Sequence, residues 1–418
     1  MSVRSLAAVA GIGLLFLAGC PGEPTDEAIR AKAQEIHQRI ITIDTHVDIP
    51  VTFATEDVDP GQRGRYRVDL PKMREGGLDV VFFAAYVPQG PRTPEGYARA
   101  QDRALTKIHA IRRMAYEMHP DQIDVAYSPA DVERIVGEGK LVAVISIENA
   151  HALGGDLDMV QEYYDLGVRS AGLTHNGHND LADSSAPGRG EPAEEHGGLS
   201  DMGREYVEKL NRLGVIIDVS HASKAATLET MELSRAPLIA SHSGVKEIAD
   251  HRRNLDDEEL FALKENGGVI HIVALGGFLK IQPPERRQAM NDLRQRFEIT
   301  RAADVAALSE EQRAAYDEGL QTIQTRWPAP DIGDFVDHID YVVNLIGVDH
   351  VGIGSDFDGG GGVPGFDDAS ECPNVTEELV RRGYSEEDIR KIWGENLMRV
   401  WRENERVAQE MQAEEAGA

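Results

Sequence analysis

The chain has 418 residues, 41% of them hydrophobic and 6% aromatic, so a sizeable core is available and wholesale disorder is excluded. Lys and Arg total 43 against 72 Asp and Glu, a formal net charge of −29, and a surface of that sign repels nucleic acid and anionic lipid headgroups. Cys20 and Cys372 are the only cysteines, which excludes a disulfide framework and cysteine-rich zinc motifs and leaves His and carboxylates as the available metal ligands. The acidity itself reads as solubility or as adaptation to high salt, and charge does not separate the two.

The first residues read as an address. Arg4 supplies a positive start, residues 6–17 are mostly apolar, and Leu17-Ala18-Gly19-Cys20 follows. This resembles the bacterial lipoprotein signal, in which the cysteine becomes the lipidated first residue. Residues 1–19 are then the signal peptide, 20–26 a lipidated Cys20 with a short tether, and 27–418 one barrel domain. An ordinary signal peptide with an incidental cysteine is the competing reading. The apolar run is shorter than the roughly 18 residues that a spanning helix requires. The expectation is an exported bacterial lipoprotein in the cell envelope, held at the membrane by its N-terminal lipid alone. Pro21 stands where an inner-membrane retention signal would place Asp.

After a charged helix over 27–39, apolar β-rich runs recur, each followed by a helical pattern. They cover 40–44, 79–87, 141–147, 168–174, 214–219, 236–240, 268–274 and 351–355. Continuous apolar strands alternating with helices predict a parallel sheet buried on both faces. Eight of them predict a closed (β/α)8 TIM barrel. A doubly wound sheet is the alternative, but no Gly-rich dinucleotide loop follows the first strand. A polar helical stretch over 282–334 reads as an insertion between strands seven and eight. Residues 186–199 form a Gly/Pro-rich loop. A closing helix is predicted over 385–407, with Ser385 as N-cap.

The chemistry lies where the apolar runs end. The first is followed by His46 and Asp48, the third by Glu148, the fourth by His175, the fifth by His221, the sixth by His242 and the eighth by Asp356. A parallel barrel gathers these ends at one rim. His46 and Asp48, two apart on an extended strand, point the same way and can grip one ion. His221 and His242, from adjacent strands, can grip a second. Glu148 lies between them around the barrel, and its two oxygens can bridge two cations. Imidazole and carboxylate suit zinc. Two zinc ions about 3.5–4 Å apart can share a nucleophilic hydroxide. A lone His-x-Asp is weak evidence, but five such residues at four separate strand ends are not explained by packing, because unpaired polar groups are costly to bury.

The stretches IDTHVD, IENAH, GLTHNGHND, NRLGVIIDVSH, SRAPLIASHS, HRRNLDDEEL, VGIGSDFDG and GENLMRVW run in order over about residues 40–402. Together they resemble the membrane (renal) dipeptidase family of metal-dependent amidohydrolases. The resemblance implies a dipeptidase with two Zn2+ per chain, His46 and Asp48 on one, His221 and His242 on the other, and Glu148 bridging. It implies that His175 contacts substrate and stabilises the oxyanion, Arg253 pairs with the dipeptide's carboxylate, and Asp356 is the catalytic acid/base. The bridging hydroxide would attack the peptide carbonyl, and Asp356 would protonate the leaving nitrogen. The family accepts varied dipeptides, including many with a C-terminal D-residue, and its precedent is a homodimer. Residue chemistry alone does not separate Arg252 from Arg253, although a guanidinium fork suits a free C-terminus.

Some positions depart from the family or receive no role from it. Gly177 stands where mammalian members have a disulfide cysteine. Glu148-Asn149-Ala150-His151 replaces Glu-Gly-Gly-His. His178 and His271 receive no ligand role, and His271 reads as a core or wall residue. Asp358 is expected to hold a loop or orient a ligand. Ser220, Ser241 and Ser243 are expected to support the ligands by hydrogen bonding. Two alternatives stay open: another amidohydrolase such as a lactonase, phosphotriesterase or deaminase, and a non-catalytic metal- or peptide-binding lipoprotein. The first commonly carries His-x-His on strand one, and the second would be expected to lose Asp356.

Overall fold

The computed structural model describes residues 24–417; Cys20 and the signal segment lie outside these. Nine strands form a single sheet: β1 Ile43–Asp48, β2 Val80–Tyr86, β3 Ile123–Val125, β4 Leu141–Glu148, β5 Val168–Gly172, β6 Ile216–Asp218, β7 Ile239–Ser243, β8 Val269–Ile272 and β9 Val351–Ile353. All neighbours pair in parallel in the order β1-β2-β4-β5-β6-β7-β8-β9. The ring closes where Asp48 N donates to Phe357 O (2.9 Å) and Asp356 N donates to His46 O (3.1 Å). The fold is the expected eight-stranded TIM barrel. The extra strand β3 pairs only with the start of β4. Three residues with Asp124 in the middle carry no readable period, so the sequence pattern does not reveal it.

Two strand boundaries require correction. The first strand runs over Ile43–Asp48 rather than 40–44, and the sixth over Ile239–Ser243 rather than 236–240. The sequence reading ended each strand where its apolar run ended. The strands continue past a bulge and pair again at Val47-Asp48 and at Ser243, because ladder bonds do not depend on side-chain polarity. His46, Asp48 and His242 therefore lie within strands and not after them.

The lower half of the barrel is apolar. Ile43, Val80, Phe82, Val142, Val144, Ile216, Ile239 and Val269 cluster with Leu397, Met398 and Trp401 of the closing helix. Phe82 and Trp401 meet edge to face at 5.8 Å. Ser385 caps the closing segment as expected, its Oγ accepting from Asp388 N. The segment then passes through a π-turn, Lys391–Glu395, and continues to Ala416, beyond the expected end. Gly394 in that turn is needed for close approach, since a Cβ there would stand 2.6 Å from Ile41 O.

Helices flank the strands, each anchored by local chemistry. The helix Asp201–Leu213 starts on Ser200, whose Oγ accepts from Gly203 N. It ends at Gly214 in the left-handed region, and buries Tyr206, Val207 and Leu210 against the sheet. The expected insertion is present as the helices Pro284–Arg296, Ala302–Ala306 and Glu310–Arg326. They carry their own small core of Leu293, Ile299, Tyr316 and Ile323. Among the described residues no helix is long and apolar enough to cross a membrane.

Candidate active site

The C-terminal mouth of the barrel holds a cavity of about 590 Å³ lined by Asp48, Glu148, His175, His221, His242, Arg253 and Asp356. His46 lies just behind it, buried. The structure thus gathers all eight residues that the sequence singles out at this mouth.

Local irregularities aim them. The ladder between β1 and β2 slips between Asp44 and Val47, around His46. The ladder between β7 and β8 slips between Ala240 and Ser243, around His242. Bulges of this kind redirect a side chain without ending the strand. Asn149, His221, Asp356 and Asp358 all have positive φ, at 74°, 73°, 60° and 64°, each close behind a strand end. Such backbone costs about 1–3 kcal/mol per residue and persists where the surroundings impose it. Thr45 Oγ1 ties the mouth together from inside, donating to Ser241 O across the barrel (2.7 Å). Gly354 permits that approach: a Cβ there would lie 1.8 Å from the same carbonyl.

Glu148 is the centre of the arrangement. Its Oε2 faces His46 Nε2 at 3.5 Å, while its Oε1 faces His221 Nε2 at 3.1 Å and His175 and His242 Nε2 at 3.8 Å each. The two oxygens of one buried carboxylate therefore serve two separate sets of imidazoles. Asp48 Oδ2 approaches His46 Nε2 at 3.8 Å on the first side. Among the described residues, donor atoms lie within 4.8 Å of one another in three groups: His46, Asp48 and Asp356; Glu148, His175 and His221; His46, Asp218 and His242. His46 Nε2 is buried without a hydrogen-bond partner, as a nitrogen kept for a metal would be. The donor set of imidazole and carboxylate fits zinc.

Behind these groups stand two aspartates that the sequence reading passed over. Asp218 accepts from Ser220 N and Ser241 N, both at 2.9 Å, and from Ser241 Oγ at 2.6 Å. Ser241 Oγ, its proton given to Asp218, accepts from His242 Nδ1 at 2.8 Å. That relay fixes the proton on Nδ1 and leaves the Nε2 lone pair facing the cavity. Asp44 accepts from His46 N (3.1 Å) and Ser355 N (2.9 Å), tying β1 to the turn after β9. A carboxylate inside an apolar strand run, as in Ile216-Ile217-Asp218, was the available signal. Asp358 accepts from Arg67 N at 2.9 Å and so holds a loop, as expected. His178 and His271 are buried away from the cavity, on Pro192 O (3.0 Å) and Ala240 O (3.3 Å) respectively.

Electrostatics divide the site. Burial opposes charge on His46, but Glu148 and Asp48 overcome it and hold its pKa well above the ordinary imidazole value. Burial likewise opposes charge on Glu148, yet His46 and His221 hold it well below the usual carboxylate range. His221 and His242 are pushed well down, first by burial and then by neighbouring cations, so both are neutral and available as ligands. Asp356 is pushed up to about 8 by burial, with Asp48 and Glu148 adding to it, which suits a group that exchanges a proton near neutral pH.

Arg253 is 5% exposed and its neighbour Arg252 is exposed, so the structure separates the two. One guanidinium nitrogen of Arg253 donates to His242 O (3.2 Å), the side chain lies over the Phe278 ring, and its Nε has no partner. Burial draws its pKa down to about 10, still charged at neutral pH. Among the further residues lining the cavity that the sequence reading did not select are Tyr86, Arg103, Lys107 and Phe278. Arg103 and Lys107 belong to the helix Pro94–Arg113, where their charge alone reads as a solvated face.

A closed parallel barrel with a buried His/carboxylate cluster at its C-terminal mouth defines a metal-dependent hydrolase. The family model for membrane dipeptidases, peptidase family M19, matches residues 30–415, and the chain belongs to this family of metallopeptidases. It is 34% identical over 350 residues to the dipeptidase aclJ of Aspergillus oryzae, covering 82% of this chain and 72% of that protein. The crystal structure of the probable dipeptidase PvdM from Pseudomonas aeruginosa superposes with a TM-score of 0.80 at 36% identity, over 91% of this chain and 99% of that one. A second solved structure, the metallopeptidase named dipeptidase AC, gives a TM-score of 0.68 at 26% identity, over 87% and 98%.

Proposed function

We propose that the chain hydrolyses the peptide bond of dipeptides with two zinc ions held at the barrel mouth. The observation that carries this reading is the division of Glu148, one oxygen toward His46 and the other toward His221. His46 and Asp48 would hold one ion, His221 and His242 the other, with Glu148 between. When bound, the ions would supply Lewis acidity and make water nucleophilic near neutral pH.

The remaining roles belong to side chains. Arg253, buried and with an unpartnered Nε, takes the substrate's terminal carboxylate and fixes the scissile bond relative to Glu148. His175 Nε2, at the same face of Glu148, is placed to donate to the oxyanion that forms on the carbonyl. Asp356 accepts a proton from the attacking water and returns it to the leaving nitrogen, so atoms and charge balance without a covalent intermediate. Turnover of dipeptides ending in a D-residue is part of the proposal, as is anchoring through Cys20, which labelling with palmitate and loss of label in Cys20→Ser would test.

The chain from Pro21 onward, zinc-loaded, should release amino acids from L,L and L,D dipeptides, and a chelator should abolish the activity. Asp356→Asn should lose about 10²–10⁴-fold in kcat while keeping its metal. Folded, zinc-loaded protein that cleaves no dipeptide would defeat the reading and shift the assignment to another amidohydrolase substrate.

A further inference from the structure

The cavity carries more positive charge than a simple dipeptide requires. Arg103, Lys107, Arg252 and Arg253 all line it, in a chain whose formal net charge is −29. Among the described residues, Arg103, Arg252 and Arg253 have no ion-pair partner within 4.0 Å, so none of the three is neutralised by the protein itself. Lys107 is 2% exposed, and its only ion-pair contact is Asp48 Oδ1 at 4.0 Å, too long for a hydrogen bond. Keeping an ammonium buried and so weakly paired is costly unless a ligand completes it.

The cavity's own carboxylates cannot do so. Asp358 is occupied by the backbone of Arg67 and Val68. On the proposed assignment, Asp48 and Glu148 are metal ligands and Asp356 exchanges protons. Four cations then face a pocket with no free anion.

Their placement gives direction. The helix with Arg103 and Lys107 follows β2, and the segment with Arg252 and Arg253 follows β7. In the ring order these strands stand four places apart among eight, on opposite walls. Arg103 and Lys107 are one helical turn apart and share a face. Tyr86, at the end of β2, links this wall to the reacting centre: Lys107 Nζ lies 5.3 Å from its ring centroid, and the His175 ring lies tilted against it at 4.6 Å.

We infer that Arg103 and Lys107 form a subsite for a carboxylate on the N-terminal residue of the substrate, so that the preferred dipeptides begin with Glu or Asp. This rests on the dipeptidase reading and on Arg253 holding the C-terminal carboxylate. A substrate spanning the mouth from the Arg253 wall then points its N-terminal side chain at the β2 wall.

The test uses the zinc-loaded chain from Pro21 onward with Glu-Ala, Ala-Ala, Ala-Glu and Lys-Ala. The expected result is a kcat/KM for Glu-Ala at least about tenfold above that for Ala-Ala, the worth of one charge-assisted hydrogen bond, with Lys-Ala poorest. Arg103→Glu at the exposed rim, and independently Lys107→Gln, should each lower the Glu-Ala to Ala-Ala ratio, and higher ionic strength should lower it in the wild type. Equal rates on Glu-Ala and Ala-Ala, or a preference for Ala-Glu, would overturn the inference while leaving the dipeptidase reading intact. Variants that slow both substrates in parallel would also overturn it, making Lys107 a group that positions Asp48. No hydrolysis of any dipeptide would remove the dipeptidase reading and this subsite with it.

Discussion

The two ends of the same barrel follow opposite rules. At the lower end, Ile43, Val80, Phe82, Val142 and Val144 meet Trp401 in a wholly apolar cluster. A few residues further along the same strands, Asp44, His46, Glu148, Asp218 and His242 are equally buried. Burying a carboxylate costs several kcal/mol even after relaxation, about what a large apolar side chain contributes when buried. The lower end therefore stabilises the fold, and the mouth spends part of that stability. The mouth also holds four positive-φ residues other than glycine, Asn149, His221, Asp356 and Asp358. Strain and clustered buried charge coincide where chemistry is proposed, whereas the apolar cluster of the lower end contains neither, as expected when one region is shaped by packing and the other by function.

Substitutions at the two ends should break the molecule in different ways. The largest effect is expected from Glu148→Gln, which keeps the shape but removes the shared charge. Activity should fall by more than about 10³-fold and bound zinc below two per chain, and the melting temperature should fall, because the buried His46 imidazolium loses the carboxylate that stabilises it. Metal analysis beside thermal unfolding checks this, and a variant with normal metal content would sever Glu148 from the centre. Trp401→Ala at the opposite end should separate the two properties: a loss of about 3–5 kcal/mol in stability with kcat per folded molecule and metal content unchanged, read by denaturant titration and active-site counting.

A smaller effect is expected from Ser241→Ala, which cuts the relay from Asp218 to His242 Nδ1. Zinc affinity should weaken about 10–100-fold with little change in fold, measured by competition with a chromophoric chelator. The smallest concerns protons. In the metal-free protein His46 holds a proton above its ordinary pKa and Asp356 holds one up to about pH 8. Zinc must displace them, so binding at neutral pH should release about one to two protons and affinity should rise with pH. Calorimetry in buffers of different ionisation enthalpy would show it, and buffer-independent heats would contradict it.

Much of this contrast was legible in the sequence, and the parts that were not have physical causes. Eight apolar runs alternating with helices gave the barrel, because strands buried on both faces must be continuously apolar. The ligand candidates stood out because His and Glu interrupt those runs. Strand ends were misplaced at His46 and His242 because backbone pairing continues under polar side chains. Asp44 and Asp218 were missed because each looks like one stray charge until the ladder brings Ser355 N or Ser241 Oγ to it. Arg103 and Lys107 were missed for the opposite reason: on a helix, cations four apart read as a solvated surface, and only the ring order turns that face inward.

The most direct test of the two-ion account is a titration of metal-free protein with zinc while dipeptide hydrolysis is followed. The account predicts that activity reaches its plateau when about two equivalents per chain are bound. A plateau at one equivalent, or activity that ignores zinc, would contradict it.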